Sequence, residues 1–170
     1  NIPVQIGTST NWESISAGTR HSLGLKSDGT VWAWGHNNQG QLGLGTGLLY
    51  ADQLSPVQIG TDSWTSIQAG NNHSLALKSD GTLWTWGWNQ QGQLGSNINH
   101  QPAPVQIGVS NNWVSISSGL THNLAIKSDG TLWIWGLYLY QSCIGSYVSQ
   151  VGTSTDWATI SCAGSHDMAF

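Results

Sequence analysis

The stretch that decides the fold is WTSIQAGNNHSLALKSDGTLWTWG, residues 64–87. Within it, residues 73–78 and 82–87 alternate between large apolar and small or polar side chains, which is the period of a β-strand. Asp80-Gly81 separates these two segments, and Asp-Gly between alternating strands is a strong hairpin signal because glycine tolerates the positive φ of a tight turn. The stretch therefore predicts three antiparallel strands, and PVQIG at 104–108 predicts a fourth.

The same stretch recurs along the chain. It is found again at 12–35 and 113–136, and WATISCAGSHDMAF at 157–170 begins another copy. A repeat of roughly fifty residues with four strands has the size of one propeller blade. We predict an all-β fold, one partial β-propeller domain over residues 1–170 with three full repeats and a partial fourth. The repeats are predicted at approximately 8–60, 61–108, 109–152 and 153–170.

The number of repeats leaves two interpretations open, because three and a fraction blades do not close a ring. Unclosed blades would leave apolar sheet faces in water. The chain is either a fragment of a ring or a half-propeller whose copies assemble into a dimer or larger. It opens on Asn1 without a basic and apolar leader, which indicates a processed protein or a piece of a longer one.

The motif SxxxGxxHSLALKSDGTLWxWGxNxxGQLG, with SPVQIG closing each unit, resembles the repeats of the regulator of chromosome condensation family, most closely its bacterial versions. The resemblance implies a β-propeller, commonly of seven blades, in which the repeats are scaffold and the loops and channel bind. The family includes a guanine nucleotide exchange factor for a small GTPase. The loop residues and basic region of that activity have no match here, so an exchange-type regulator is the least favoured alternative.

The paired tryptophans are expected to form the core between blades, since large apolar side chains dominate burial energetics. We predict that the row of Trp84 and Trp86 meets a row of small residues, such as Ser74 and Ala76, on the next blade. Trp88 aligns with His36 and Leu137 and is predicted to point out of the scaffold. The six tryptophans assigned to the core are Trp32, Trp34, Trp84, Trp86, Trp133 and Trp135.

The composition excludes several classes of function. Only 7% of residues are charged, against roughly 25% in an average soluble domain, which is typical of secreted or cell-surface β proteins. We therefore expect an extracellular or cell-surface location. A net charge of −4 argues against nucleic-acid binding, and no apolar run reaches the ~20 residues of a membrane span. The basic residues are Arg20, Lys26, Lys78 and Lys127.

The repeated histidines could form a ring of metal ligands or could be structural. No carboxylate or second histidine lies at ligand spacing beside any of them, so we predict that each tethers a turn through a backbone hydrogen bond. No metal, cofactor or catalytic residue is predicted, because no nucleophile with a base and an orienting acid is recognisable. The histidines are His21, His73, His122 and His166.

Both cysteines lie where the repeat pattern breaks. Cys143 stands where Gln41 and Gln93 stand in the earlier repeats, and Cys162 lies in an insertion in the fourth. A disulfide between them would replace lost loop hydrogen bonds, and it would favour an oxidising compartment.

These observations predict a non-catalytic extracellular binding or adhesion module whose ligand is a protein or a glycan. The alternative is a structural subunit that self-associates through its incomplete blades. Contacts would come from the variable loops. The candidate binding residues are His36, Asn37, Asn38, Leu48, Leu49, Tyr50, Trp88, Asn89, Tyr138 and Tyr140.

Overall fold

The computed structural model describes residues 2–3, 5–46, 50–137, 147–164 and 167–170. Within these ranges the chain forms antiparallel β-sheets and contains no α-helix, so it has no helix that could span a membrane. The strands are β1 (Trp12–Ala17), β2 (His21–Lys26), β3 (Val31–Gly35), β4 (Gln53–Gln58), β5 (Trp64–Ala69), β6 (His73–Lys78), β7 (Leu83–Gly87), β8 (Gln101–Gln106), β9 (Trp113–Ser118), β10 (His122–Lys127), β11 (Leu132–Gly136), β12 (Ser149–Gln150), β13 (Ile160–Cys162) and β14 (Asp167–Ala169).

The strands form three four-stranded sheets in chain order, β1 to β4, β5 to β8 and β9 to β12, followed by a two-stranded sheet of β13 and β14. Each sheet lies within one of the predicted repeats. The first strands of successive sheets contact one another, so they lie innermost, around a common axis. The predicted fold, a partial β-propeller of four-stranded blades, is confirmed.

The Asp-Gly turns are hairpins, as predicted. Gly81 has a φ of +80°, and Asp80 accepts hydrogen bonds from the Thr82 N–H at 3.0 Å and the Thr82 hydroxyl at 2.6 Å. The hydrogen bond from the Thr82 hydroxyl is the main cause that lowers the pKa of Asp80 below its ordinary value, and the bond from the Thr82 N–H adds to it. The Thr82 oxygen in turn accepts a hydrogen bond from Trp84 Nε1 at 2.8 Å. The turn therefore fixes the first tryptophan of the following strand.

The packing between blades differs from the prediction. Ser74 pairs with Trp86, and Ala76 with Trp84, across β6 and β7; paired residues of antiparallel strands lie on the same face. The small residues thus make room for the tryptophans of their own blade. We call this face the tryptophan side, and the opposite face, with Leu75, the leucine side.

The leucine side of each sheet packs against the tryptophan side of the next one along the chain. Leu23 and Leu25 of the first sheet share a buried cluster with Trp64 and Trp86 of the second. Leu75 and Leu77 of the second sheet share another with Trp113 and Trp135 of the third. The apolar side of the third sheet packs on Trp157 and on the small two-stranded sheet that follows it. The core is therefore a stack of leucine and tryptophan layers.

The predicted core role of the paired tryptophans holds most fully where a preceding blade covers them. Trp86 and Trp135 are 0% exposed, while Trp84 and Trp133 are half-buried against neighbouring clusters. Trp32 and Trp34 of the first sheet are also half-buried. In the described part of the chain no sheet covers their side.

The three lysines are held inside the blades. Lys78 Nζ lies 3.7 Å from the centroid of the Trp84 ring and 3.0 Å from an oxygen of Asp62. Lys26 and Lys127 contact tryptophan pairs in the same way and donate hydrogen bonds to Ser9 and Ser110. Cation–π contacts of this kind stabilise a partly desolvated ammonium group, so these cations belong to the scaffold.

The repeated histidines join neighbouring blades through side chains, whereas we predicted a tether to the backbone. The Ser74 hydroxyl donates to the Gln41 carbonyl at 2.8 Å, so it accepts from His21 Nε2 at 2.9 Å. His73 Nε2 donates to Asn123 Oδ1 at 2.8 Å, and Asn123 donates to a backbone carbonyl of its preceding blade in turn. Burial lowers the pKa of His21 to about 3 and that of His73 to about 4.

Candidate functional site

The variable residues collect at one end of the sheets. There β1 turns into β2, and β3 ends opposite the start of β2, because His21 pairs with Gly35. The second and third sheets repeat this arrangement. We call this end the loop face, and the opposite end, which carries the Asp-Gly turns, the turn face.

The centre of the loop face is a depression of about 320 Å³ around the axis. Glycines line it because the strand ends approach closely. A Cβ added at Gly70 would overlap the His73 ring and the Ser118 hydroxyl, and one at Gly18 would overlap the Gly70 carbonyl. The mouth of the axis is therefore bounded mainly by backbone, with polar side chains such as Thr19 and Asn71 at its rim.

A second depression, of about 250 Å³, lies between the first and second blades; we call it the blade 1–2 cleft. Thr19 and Asn71 line both depressions, so the two are contiguous. The lining is polar and comes from Thr19, Arg20, His36, Asn38, Asn71 and Asn72, among others.

His36 is oriented in this cleft by a carboxylate. Its Nδ1–H donates to Asp52 Oδ2 at 3.0 Å, and the backbone N–H of Asn37 donates to Asp52 Oδ1 at 2.9 Å. The hydrogen bond from the His36 side chain, followed by that from Asn37, lowers the pKa of Asp52 below its ordinary value. The Nδ1–H of His36 is thus committed to Asp52.

Arg20 and His36 are neighbours across the sheet edge. The His36 N–H donates to the Arg20 carbonyl at 2.8 Å, which extends the β2–β3 pairing by one position. The equivalent bonds join Trp88 to Asn72 and Leu137 to Thr121. One backbone position therefore carries Arg–His in the first blade, Asn–Trp in the second and Thr–Leu in the third.

Two predicted binding residues are corrected. Asn37 is 2% exposed and Asn89 is 9% exposed. Their side-chain oxygens accept hydrogen bonds from the N–H groups of Leu42 and Leu94, at 3.0 and 2.7 Å. Each asparagine closes its own loop, because a buried amide must be satisfied internally, and neither presents its side chain on the surface.

The remaining predicted residues are placed differently. His36 and Asn38 line the blade 1–2 cleft. Trp88 is half-buried, and its N–H donates to the carbonyl of Asn72, a residue of that cleft. Tyr50 is 49% exposed. Leu48, Leu49, Tyr138 and Tyr140 lie outside the described residues, as does Cys143. The disulfide from Cys143 to Cys162 stays a prediction; Cys162 is half-buried, and its N–H donates to the Ser117 hydroxyl at 2.8 Å.

The sequence analysis missed Arg20, Asn71 and Asn72, which line the cleft, and Asp52, which orients His36. The available signal was the hairpin register, because a pairing of His21 with Gly35 places Arg20 opposite His36. In the described residues no group of three or more histidine, cysteine or acidic side chains is arranged to hold a metal ion.

Comparison with known proteins identifies the repeats. The model of the regulator of chromosome condensation (RCC1) repeat matches residues 28–77 and 80–126, more than half of the chain. A second model with the same description matches residues 12–41 and 64–93.

Curated relatives include the ultraviolet-B receptor UVR8 of Arabidopsis thaliana, 37% identical over 62% of this chain and 25% of the receptor, and the protein RCC2 homolog of Danio rerio, 43% identical over 44% of this chain and 15% of that protein. Among solved structures, Prp20p of Saccharomyces cerevisiae has a TM-score of 0.80 and 25% identity, covering 98% of this chain and 45% of Prp20p. The chain thus spans a quarter or less of these curated relatives, and under half of that structure.

The repeats that the family models match coincide with the four-stranded sheets that stack around one axis. The chain belongs to the regulator of chromosome condensation (RCC1) repeat family.

Proposed function

We propose that this propeller segment binds a partner protein through its loop face. The main support is that the same backbone hydrogen bond joins a different pair of residues in each blade. The pairs are Arg20–His36, Asn72–Trp88 and Thr121–Leu137. Variable side chains on a fixed scaffold are the usual construction of a recognition surface. The contiguous depressions at the axis and the blade 1–2 cleft give a partner a concave surface to enter.

The relatives support this proposal. The Prp20p structure is described together with its binding properties to Gsp1p and histones, so a propeller of this family has protein partners. No catalytic activity is proposed for this chain, and neither is nucleotide exchange.

The test is affinity capture from the source organism with three forms of the 170-residue chain. One is unchanged, one carries Arg20→Asn and His36→Trp, and one carries Asn11→Asp and Asp156→Asn. The first double variant copies the pair of the second blade, so the backbone position accepts it. The second changes exposed residues near the turn face. We expect proteins that the unchanged and turn-face forms capture and the loop-face variant loses. Equal capture by all three forms, or none by the unchanged chain, would contradict the proposal.

A second candidate function is self-association into a closed assembly, favoured by the uncovered tryptophan side of the first sheet. Ile15 there is 67% exposed, and a cavity of about 290 Å³ opens between Trp12, Trp34 and Pro56. Met168 and Phe170, at the other end of the stack, are 56% and 73% exposed. Light scattering would give about twice 18.2 kDa for a dimer of the 170-residue chain, and Ile15→Asp would return it to the monomer mass. A monomer at all concentrations would rule this candidate out.

An extracellular or cell-surface location is also proposed, on the low charge content and the predicted disulfide. Peptide mapping of the native protein without reductant should recover Cys143 and Cys162 in one linked species. Recovery of both as alkylatable thiols would count against an oxidising compartment.

A glycan ligand remains the alternative to a protein; it predicts that Trp88→Ala removes glycan-array binding.

A further inference from the structure

We infer that the blade 1–2 cleft is a carboxylate-binding site that receives an acidic side chain of the partner, with the Arg20 guanidinium as the group that binds the carboxylate and the fixed His36 ring beside it. This inference rests on the proposed function, since it names the chemistry by which the loop face recognises a protein.

The first step is the state of the cations. The three lysines lie over tryptophan rings inside the blades. Arg20 is exposed and, among the described residues, forms no ion pair or side-chain hydrogen bond. A guanidinium group offers a planar fork of donors that matches a carboxylate in a bidentate arrangement. Arg20 is thus the cation that the scaffold leaves available.

The second step is the neighbouring imidazole. Because the Nδ1–H of His36 donates to Asp52, the orientation of the ring is fixed. In that tautomer Nε2 is an acceptor, and it is left to accept from a backbone N–H of the bound peptide next to the carboxylate. Arg20 and His36 are joined through their backbones at 2.8 Å and line the same cleft. The Asp52 carboxylate is bonded to His36 and to the Asn37 N–H, and among the described residues it forms no ion pair with Arg20.

The third step is the rest of the lining. Asn38, Asn71 and Asn72 contribute amide groups, which can donate hydrogen bonds to carboxylate oxygens and accept from the amide groups of a peptide. The cleft opens into the depression at the axis, so a peptide segment could continue from one to the other. The second and third blades carry Asn–Trp and Thr–Leu at the paired position, so neither repeats this combination of charge and fixed imidazole.

The test is an NMR titration of the ¹⁵N-labelled 170-residue chain with the capped peptide acetyl-Gly-Glu-Gly-amide, and with acetyl-Gly-Gln-Gly-amide as the neutral control. The peptide makes one carboxylate contact with the cleft, as a small ligand fragment would, so we expect it to bind with millimolar affinity. We expect shifts at residues 19–20, 36–38 and 71–72 with the glutamate peptide and at least about tenfold weaker binding of the glutamine peptide. No shift, or equal shifts with both peptides, would overturn the inference.

Variants separate the carboxylate site from general electrostatics. Arg20→Asn should abolish the shifts at 36–38, while Arg20→Lys should retain part of the affinity because it keeps the charge and loses the fork. Asn11→Asp is the charge-matched control, since it also lowers the net charge by one but lies near the turn face; it should bind as the unchanged chain does. If Asn11→Asp weakens binding as much as Arg20→Asn, the effect is long-range charge and the assignment fails. Tighter binding of inorganic phosphate than of the peptide would likewise overturn an acidic side chain as the ligand.

The failure of this inference is distinguishable from the failure of the proposed function. Capture that depends on the loop face without any response to the glutamate peptide would reject the carboxylate site alone. A response to the peptide without loop-face-dependent capture would reject the proposed protein partner.

Discussion

His21 and His73 are buried imidazoles that the fold keeps neutral. Burial is the first cause of their low pKa values, about 3 and about 4, against about 6.5 for an unperturbed histidine. Each sits between two blades and donates from Nε2 to the next blade. Protonation would place an unpaired charge in the core.

This predicts a loss of stability on acidification. Between about pH 6.5 and pH 4 the unfolded chain binds protons at these histidines and the folded chain does not, so the free energy of unfolding falls as the pH falls, by up to about 1.4 kcal/mol per pH unit for each histidine. Urea unfolding at about pH 7.5, 6.5 and 5.5 measures this slope. His73→Gln should reduce the slope in that window. An unchanged slope in the variant would show that other groups carry the acid sensitivity.

Gly70 illustrates a position where the space for a side chain is missing. A Cβ there would overlap the His73 ring and the Ser118 hydroxyl. We expect Gly70→Ala to destabilise the fold by about 2 kcal/mol or more, because neither neighbour is free to withdraw. The control is Gly164→Ala, just after the last strand-β13 residue of the two-stranded sheet, where the nearest atom of the described residues would be Leu120 Cδ1 at an ordinary 3.5 Å. Thermal melts compare the two, and equal melting temperatures would contradict the steric argument.

Within a blade, the turn and the core are linked through Thr82. Its hydroxyl donates to Asp80 and accepts from Trp84 Nε1. Thr82→Val keeps the shape but removes both bonds, leaving the half-buried indole N–H without its acceptor, so we expect a loss of about 1–3 kcal/mol of unfolding free energy. Thr65→Val, also in the second blade, removes only one long bond to the Leu77 carbonyl at 3.4 Å and should cost less. Urea titrations of both variants test the ranking.

At the scale of strands, the sequence predicted what local chemistry determines. The period of alternation and the Asp-Gly pairs predicted β2 and β3, β6 and β7, and β10 and β11, because strand period and turn geometry depend on a few neighbouring residues. The packing partner did not follow from these signals. The prediction that Trp84 meets Ser74 and Ala76 of another blade was wrong, since faces are assigned by the register across the hairpin.

The candidate site was predictable only in part, for a similar reason. His36 and Asn38 were found as loop residues that differ between repeats. Asn37 and Asn89 follow the same loop pattern but hold the loop closed from inside, and the sequence pattern does not say towards which side an amide points. The hairpin register was enough to place Arg20 beside His36, whereas Asp52 reaches His36 across the connection between β3 and β4, so only that association is a tertiary property.

At the scale of the whole molecule, the second sheet is covered on both sides by four-stranded sheets, whereas the first sheet has a described sheet on one side. Its inner strand β5 buries both Trp64 and Ile67, whereas the inner strand β1 of the first sheet leaves Ile15 and its neighbours exposed. Local opening therefore costs more in the second sheet.

We predict at least about tenfold slower amide hydrogen exchange in β5 than in β1 for dilute protein, measured by mass spectrometry. If copies associate through the first sheet, protection of β1 rises with protein concentration while that of β5 stays constant. Equal protection of the two strands in dilute protein would show that the uncovered side does not weaken the first sheet.

The two sides of a sheet are complementary to each other across successive units, since leucine packs on tryptophan and histidine bonds to serine or asparagine in one fixed direction. A gene segment for one unit thus encodes both halves of its own junction. Duplication of such a segment in frame inserts a blade whose two neighbours already fit, and the loop-face residues Arg20 and His36 take no part in these junctions. After a duplication, substitutions on the loop face can therefore accumulate before any in the junctions. A series of blades that arises by duplication thus acquires new recognition chemistry without a change in its core.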